Sequence, residues 1–419
     1  MGLPGEAVKS KDELVEEGAA LLKDLIDWEG NDLKRIYEPI ADQVSYIFVA
    51  VLVFAFGYFA WAKFREWKSK QVTTHVPYRV IKPPSTVIAE QGKTNKRICA
   101  VIGGTGFVGS HVVNELVKRG DYYVYVLGRT FRPERTNPNA DCLIQVDLLD
   151  LDGLVSAFQG VDSVINTAAI VPTVFMSAEE IWLKNKNGQE NVLEAAKTAG
   201  VKNHVFLSAM HPKNKICSRE MKAFMNIFYR SEDSFVKANG KDGLRTCAIG
   251  PGNIIGINSP FIDMLLSGKM TSSPMNDLLP VSFAPAEYVA KALVNAEIKL
   301  AAGDEAISGK IIKLRGEVMT WRKFFNLSSW PKKISETPSW VLTPLIRINM
   351  LCAAVFNKAP FGPDLSAALT DIMAFVEEDL EDIEIQKAYQ DLDVGPPVPP
   401  MEAYVRELVE RYKEKKKDK

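Results

Sequence analysis

A glycine-rich stretch carries the clearest chemical signal in this chain of 419 residues. It reads Gly-Gly-Thr-Gly-Phe-Val-Gly, after an apolar run and before a helical pattern that ends at Gly120. Glycines at three-residue spacing permit a tight turn, let backbone N–H groups reach a pyrophosphate and bring helix and strand together. We therefore predict a dinucleotide site that includes Gly103, Thr105, Gly106, Phe107, Val108 and Gly109.

The end of the second predicted strand indicates which dinucleotide binds. An acid at this position holds a free ribose 2′-hydroxyl, whereas an arginine can hold a 2′-phosphate. The strand ends Leu127-Gly128-Arg129-Thr130 and contains no acid. Arg129 therefore favours NADP(H) over NAD(H), and the competing interpretation is an arginine that simply points into water.

Short strands and helices must position these residues, and they alternate from about Lys96 onward. The β-branched runs lie at residues 98–102, 122–127, 163–166, 204–208 and 245–249. Strands separated by helical stretches are typical of βαβ units around a parallel sheet. The pattern predicts an α/β fold of the Rossmann type, with a doubly wound parallel sheet.

Composition and charge exclude several classes of protein. The chain is 47% hydrophobic and 25% charged, as expected for a folded globular protein. Residues 1–42 carry a net charge of −6, which leaves +5 for the rest, too weak without a motif to predict nucleic-acid binding. Five scattered cysteines show no metal-ligand spacing, so we predict neither a metal site nor a disulfide framework.

An uncharged stretch at residues 43–62 predicts a single transmembrane helix, because twenty residues suffice to cross the hydrocarbon core. More lysine and arginine residues follow this span than precede it, which predicts a luminal N-terminus and a cytosolic bulk. The chain ends KEKKKDK, which resembles the dilysine retrieval signal of the endoplasmic reticulum membrane. Together these features predict that membrane as the location.

Five segments follow from these patterns: an acidic region at 1–42, the span at 43–62, a proline-containing linker at 63–95, a folded domain at 96–411 and a lysine-rich tail at 412–419.

Residues 340–356 are apolar but contain a central charge. They predict either a membrane-interface segment or a core helix of the smaller part of the domain.

Several motifs in order resemble one enzyme class. These are GGTGFVG, then Val146-Asp147-Leu148, Asn166-Thr167-Ala168-Ala169, NKNGQENVLEAAKTAGVKNHVFLSA and LRTCAIGPGNIIG. The chain from about Lys96 to Phe325 is similar to an extended short-chain dehydrogenase/reductase, and more narrowly to the 3β-hydroxysteroid dehydrogenase family with its sterol-4-carboxylate 3-dehydrogenase branch.

The resemblance implies a Rossmann part at 96–250, a smaller C-terminal substrate part at 251–411, a nicotinamide cofactor and an apolar, sterol-like substrate oxidised or reduced at position 3. It also implies further cofactor contacts: Asp147 and Leu148 at the adenine, Ala168 and Ala169 along the cofactor, and Pro251 on the nicotinamide side.

The expected catalytic pair is replaced in this sequence. The family has a tyrosine as proton donor, a lysine four residues later and a serine nearby, and Ser208 matches the serine. Aligning Ser231-Glu232 with the family pattern puts Phe224 at the tyrosine position and Phe228 at the lysine position. A phenyl ring can neither donate a proton nor hold a ribose hydroxyl.

Two functions from different classes remain open at this point. In the first, the protein is an active oxidoreductase with a displaced acid, either Tyr229 assisted by Lys222 or His211. In the second, it is a catalytically silent cofactor-binding subunit or sensor. The sequence leaves the oligomeric state undetermined.

Overall fold

The computed structural model describes residues 76–84, 96–170, 176–211, 219–267, 272–274, 280–328, 335–337, 344–349 and 380–417, together with the single residues 16, 19, 20, 57, 341 and 352. The chain divides into two compact units, Met1–Lys68 and Ser69–Lys419. The predicted acidic region, the predicted span at 43–62 and most of the 340–356 segment lie outside the described residues. Within the described ranges, no helix combines the length and apolarity needed to cross a bilayer.

The described strands, in chain order, are β1 (Arg79–Lys82), β2 (Arg97–Ile102), β3 (Tyr122–Gly128), β4 (Cys142–Gln145), β5 (Ser163–Asn166), β6 (Asn203–Leu207), β7 (Arg245–Pro251), β8 (Asn253–Ile255), β9 (Ser272–Pro274), β10 (Pro280–Pro285), β11 (Lys310–Leu314), β12 (Glu317–Thr320) and β13 (Ser335–Thr337). The described α-helices are α1 (Phe107–Arg119), α2 (Leu151–Ala157), α3 (Ala178–Thr198), α4 (Arg219–Ala238), α5 (Pro260–Leu266), α6 (Ala286–Ala301), α7 (Trp321–Leu327), α8 (Asp382–Asp391) and α9 (Met401–Lys417).

Eight strands form one sheet in the order β1-β4-β3-β2-β5-β6-β7-β11. Every pair from β4 to β11 is parallel, and β1 joins β4 antiparallel at the edge. Strand order reverses between β2 and β5, which opens a crevice beyond their carboxyl ends. The prediction of a doubly wound Rossmann sheet is therefore confirmed.

Helices cover both faces of the sheet, which explains why its central strands are almost continuously apolar. On one face, side chains of α2, α3 and α4 such as Leu154, Val192 and Met225 share one apolar core with alternate residues of β2. On the other face, α1 and α6 contribute Val112 and Leu293 to a second core.

A smaller layer follows the main sheet. It contains the three-stranded sheet β12-β10-β8, with the helices α5, α7 and α9. Its aromatic core is built around Phe283, whose ring stacks on Phe324 at 4.8 Å and meets Trp321 edge-on at 4.9 Å. Trp321 is 2% exposed, so this layer has a sealed core of its own.

The structure differs from the predicted segment boundaries in three places. Residues 79–82, predicted as linker, form β1 because β4 offers an unpaired edge, and Lys82 Nζ donates to the backbone of Ala140 nearby. The predicted boundary at 250 cuts the Rossmann sheet, since β11 pairs with β7 and α6 covers the sheet. Helix α9 runs to Lys417 and so includes most of the predicted tail.

Candidate active site

A cavity of about 510 Å³ lies at the carboxyl edge of the sheet. Its walls come from the segments that directly follow β2, β3, β4, β5, β6 and β7. In open α/β sheets this edge, at the point where strand order reverses, is where ligands bind. Most of the predicted site residues line it: Gly103, Thr105, Gly106, Phe107, Val108, Arg129, Asp147, Leu148, Ala168, Ala169, Ser208, Phe224, Phe228 and Pro251.

Glycine is required in the turn after β2 because other backbone segments approach it closely. Gly103 has φ +73°, which L side chains rarely adopt, and a side chain there would touch the backbone of Ala168. A Cβ at Gly109 would come within 2.1 Å of the Gly103 carbonyl oxygen, so Gly109 lets α1 start directly against the turn. Gly109 is not among the described residues that line the cavity, and its contribution is this packing.

The start of α1 provides a favourable environment for a pyrophosphate. Gly106 precedes the helix without a side-chain cap, and its first turn contains no acid. Phe107 and Val108 are the first residues of the helix, and both line the cavity. The free N–H groups of this first turn and the positive end of the helix dipole therefore lie at the cavity wall.

Three arginines are among the residues that line the cavity, and one of them, Arg135, donates to the Asn258 carbonyl at 3.3 Å. Arg129 follows β3 as predicted, and Arg132 and Arg135 come from the same loop, which the sequence analysis missed. Their three-residue spacing was the available signal. Within the described ranges no carboxylate lies within ion-pair distance of Arg129 or Arg132, so both charges are available to an anion.

Buried amides hold the wall formed by Ala168, Ala169 and Ile170. Asn166 Oδ1 accepts from the Ala168 N–H at 3.1 Å, and Gln189 Nε2 donates to the Ala168 carbonyl at 2.6 Å. Asn185 accepts from and donates to the backbone of Ile170 at 2.7 and 3.0 Å. Asn185 is fully buried on α3, and the sequence analysis did not single it out.

Ser208 belongs to a polar cluster behind the cavity wall. Its Oγ donates to Glu232 Oε1 at 2.5 Å, and Lys313 Nζ donates to the same oxygen at 2.9 Å. His211 Nε2 lies 2.8 Å from Glu232 Oε2. Burial would raise the pKa of the Glu232 carboxyl, but hydrogen bonds from His211 and Ser208 and the charge of Lys313 outweigh it, and the pKa lies below its ordinary value.

Helix α4 presents Phe224 and Phe228 to the cavity. The two rings are one turn apart and meet edge-on with centroids 5.0 Å apart. Phe228 is 7% exposed and also packs on Phe206, with ring centroids 6.3 Å apart. The side chains at these two cavity-facing positions are therefore apolar.

The displaced groups considered from the sequence lie elsewhere. Tyr229 is 39% exposed and its ring packs on that of His211, with centroids 4.1 Å apart. Neither Tyr229 nor Lys222 nor His211 is among the described residues that line the cavity. Lys184 of α3 does line it and pairs with Glu180 at 2.5 Å. No group of potential metal ligands occurs among the described residues.

The fold and the cavity at the carboxyl edge of the sheet define a Rossmann-type α/β protein with the site of a dinucleotide. A solved UDP-glucose 4-epimerase of Thermus thermophilus, in complex with NAD, superimposes with a TM-score of 0.54 at 19% identity, covering 75% of this chain and 99% of that one. The glycine turn, the uncapped helix start and the arginines fit a nicotinamide dinucleotide.

The sequence profile of the 3-beta hydroxysteroid dehydrogenase/isomerase family matches residues 100–311, and the chain belongs to this family. A 3 beta-hydroxysteroid dehydrogenase/Delta 5-->4-isomerase of Mycobacterium tuberculosis is 32% identical over 174 residues, which are 37% of this chain and 46% of that protein. A decarboxylating sterol-4-alpha-carboxylate 3-dehydrogenase of Bos taurus is 35% identical over 128 residues, 30% and 34% of the two chains. The match thus spans less than half the length of either relative.

Proposed function

We propose that this protein binds NADP(H) and a sterol-like molecule through its 3-oxygen, and that it turns over near background because the usual proton donor and ribose lysine are replaced. It would then act in sterol metabolism as a cofactor-binding subunit or sensor. One observation carries the proposal: the same cavity is lined by Arg129 and Arg132, for which the described part of the chain supplies no carboxylate partner, and by Ser208 and two phenyl rings.

The preference for NADP(H) is supported by charge. Arg129 and Arg132 line the same cavity as Asp147 and Leu148, which the family resemblance assigns to the adenine of the cofactor. A 2′-phosphate there would gain charge-assisted hydrogen bonds that a free hydroxyl cannot make. Asp147 is the one acid in the described lining, and its Oδ1 accepts from the Leu149 N–H at 3.0 Å.

Loss of turnover is supported by the chemistry of Phe224 and Phe228. When hydride reaches a ketone, negative charge develops on the oxygen and requires a proton or a hydrogen-bond donor. Phenyl rings supply neither. A bound nicotinamide would supply the hydride, and the residues that line the cavity would hold the cofactor and the ligand.

Calorimetric titration of the full chain in detergent tests the cofactor assignment. NADPH should bind more tightly than NADH, and Arg129→Ala or Arg132→Ala should each weaken NADPH binding about five- to tenfold while leaving NADH nearly unchanged. Lys118→Ala, an exposed change on the outer side of α1, is the matched control. Tighter NADH binding, or arginine variants that behave like the control, would contradict the proposal.

A second candidate is an active oxidoreductase with a displaced acid. It is favoured by one contact chain, from Ser208 at the cavity through Glu232 to His211. Under this alternative the full chain reduces a steroid ketone at ordinary enzymatic rates. His211→Gln or Tyr229→Phe then lowers turnover more than it lowers NADPH affinity.

The membrane anchor at 43–62, the luminal N-terminus and the endoplasmic reticulum location are proposals from the sequence. They are supported by the uncharged length of that segment, by the excess of basic residues after it and by the lysines at the C-terminus.

A further inference from the structure

The hydroxyl proton of Ser208 is committed to a buried carboxylate. Ser208 lines the cavity, is 4% exposed and donates to Glu232 Oε1 at 2.5 Å. A serine hydroxyl has one proton to give and two lone pairs that accept. Once the proton points at Glu232, the hydroxyl can offer only acceptor capacity to a ligand.

Two further side chains, those of Lys313 and His211, contact the Glu232 carboxylate. Lys313 Nζ donates to Oε1 at 2.9 Å and also to the Ala209 carbonyl at 3.1 Å, and its side chain is 15% exposed. His211 Nε2 lies 2.8 Å from Oε2. The same His211 nitrogen also lies 3.0 Å from Lys313 Nζ. The positive charge of Lys313 favours the ionised carboxylate, in agreement with the lowered pKa of Glu232, and an ionised carboxylate cannot donate back to Ser208.

We infer that Ser208, positioned by Glu232 and Lys313, makes the catalytic end of the cavity selective for a ligand hydroxyl over a carbonyl. A hydroxyl donates to the free lone pair of Ser208. A ketone oxygen would face that lone pair with no proton between the two acceptors.

The inference rests on the proposed function in one respect, namely that the 3-oxygen of a sterol-like ligand reaches Ser208. It extends that function by giving the oxidation state of the ligand that binds best, the alcohol. Phe224 and Phe228 strengthen the effect, because neither ring can supply the donor that a ketone would need.

Equilibrium dialysis of a steroid 3β-alcohol and its matching 3-ketone tests the inference. The full chain is first saturated with tetrahydro-NADP, an analogue that fills the dinucleotide site and cannot transfer hydride. Ser208→Ala should weaken binding of the alcohol about three- to tenfold and change binding of the ketone less than about twofold. The inference would be overturned if Ser208→Ala weakened binding of the ketone as much as binding of the alcohol, or if it changed neither.

Replacing the buried pair tests whether Glu232 sets the direction of the hydrogen bond. Lys313→Arg keeps a cation beside the carboxylate and should retain the preference for the alcohol. Glu232→Met combined with Lys313→Met removes both members of the ion pair, releases the Ser208 proton and should shift the preference toward the ketone about threefold or more. A double variant with the same preference as Lys313→Arg would show that Glu232 has no such role.

The two proposals fail in different measurements. Titration of tetrahydro-NADP without steroid reports on the dinucleotide site and hence on the proposed function. Ser208→Ala reports on the hydroxyl selectivity through the ratio of the affinities for alcohol and ketone. Because this ratio is compared between the variant and the unmodified chain, the different solubility of the two steroids cancels.

Discussion

Restoring a tyrosine and a lysine on α4 should raise steroid turnover if Phe224 and Phe228 stand where the family has its proton donor and ribose lysine. Both rings line the cavity, one helical turn apart, so the new side chains would enter it from the same face. General acid–base assistance is worth about 10²- to 10⁴-fold in rate. We expect the Phe224→Tyr, Phe228→Lys double variant to gain a factor in this range.

The structural cost of the two changes is unequal. Phe224 is half-buried, so a tyrosine ring fits there and its hydroxyl can extend into the cavity. Phe228 is 7% exposed and belongs to the core between α4 and the sheet. A lysine keeps only its apolar stem in that core, so we expect a loss of about 1–3 kcal/mol in the free energy of unfolding.

The assay is transfer of deuteride from labelled NADPH to a steroid 3-ketone, with the single variants as controls. Phe224→Tyr alone should give part of the gain, because the lysine lowers the pKa of the tyrosine. A double variant that binds NADPH but stays at background would refute the placement of the pair. Wild-type turnover at ordinary enzymatic rates that is lost in Tyr229→Phe would refute the silent-subunit proposal and identify Tyr229 as the acid.

Three further predictions concern packing, pH and topology. Gly109→Ala should lower the free energy of unfolding by about 1–3 kcal/mol and weaken NADPH binding, because the added Cβ meets the Gly103 carbonyl. The control variant Lys118→Ala should change neither quantity. Equal melting temperatures of the two variants would contradict this prediction. The lowered pKa of Glu232 means that its ionised form stabilises the fold at neutral pH. The difference in unfolding free energy between the unmodified chain and Glu232→Gln should therefore shrink as pH falls below the usual carboxylate range. Denaturant titrations at several pH values measure this difference. In sealed microsomes, protease should remove a C-terminal tag and spare an N-terminal one, and the reverse result would exclude the proposed topology.

Local sequence patterns were sufficient to predict much of the Rossmann part. The observed strand Ser163–Asn166 coincides with its predicted bounds, and β3 extends its prediction by one residue, to Gly128. These segments are predictable because a strand buried on both faces is rich in apolar and β-branched residues, and because a turn such as that at Gly103 needs glycine. The spacing of Phe224 and Phe228 is likewise local, since one helical turn puts both on the same face.

Only the tertiary structure decided which distant residues share a site. Lys313 and Glu232 are 81 residues apart, and their contact exists because β11 adds to the sheet beside β7, near α4. Hydrophobic periodicity indicates which face of an element is buried, but it does not indicate the element against which that face packs. The direction of the Ser208 hydrogen bond follows from that long-range packing, whereas the presence of Ser208 at the end of β6 follows from the sequence alone.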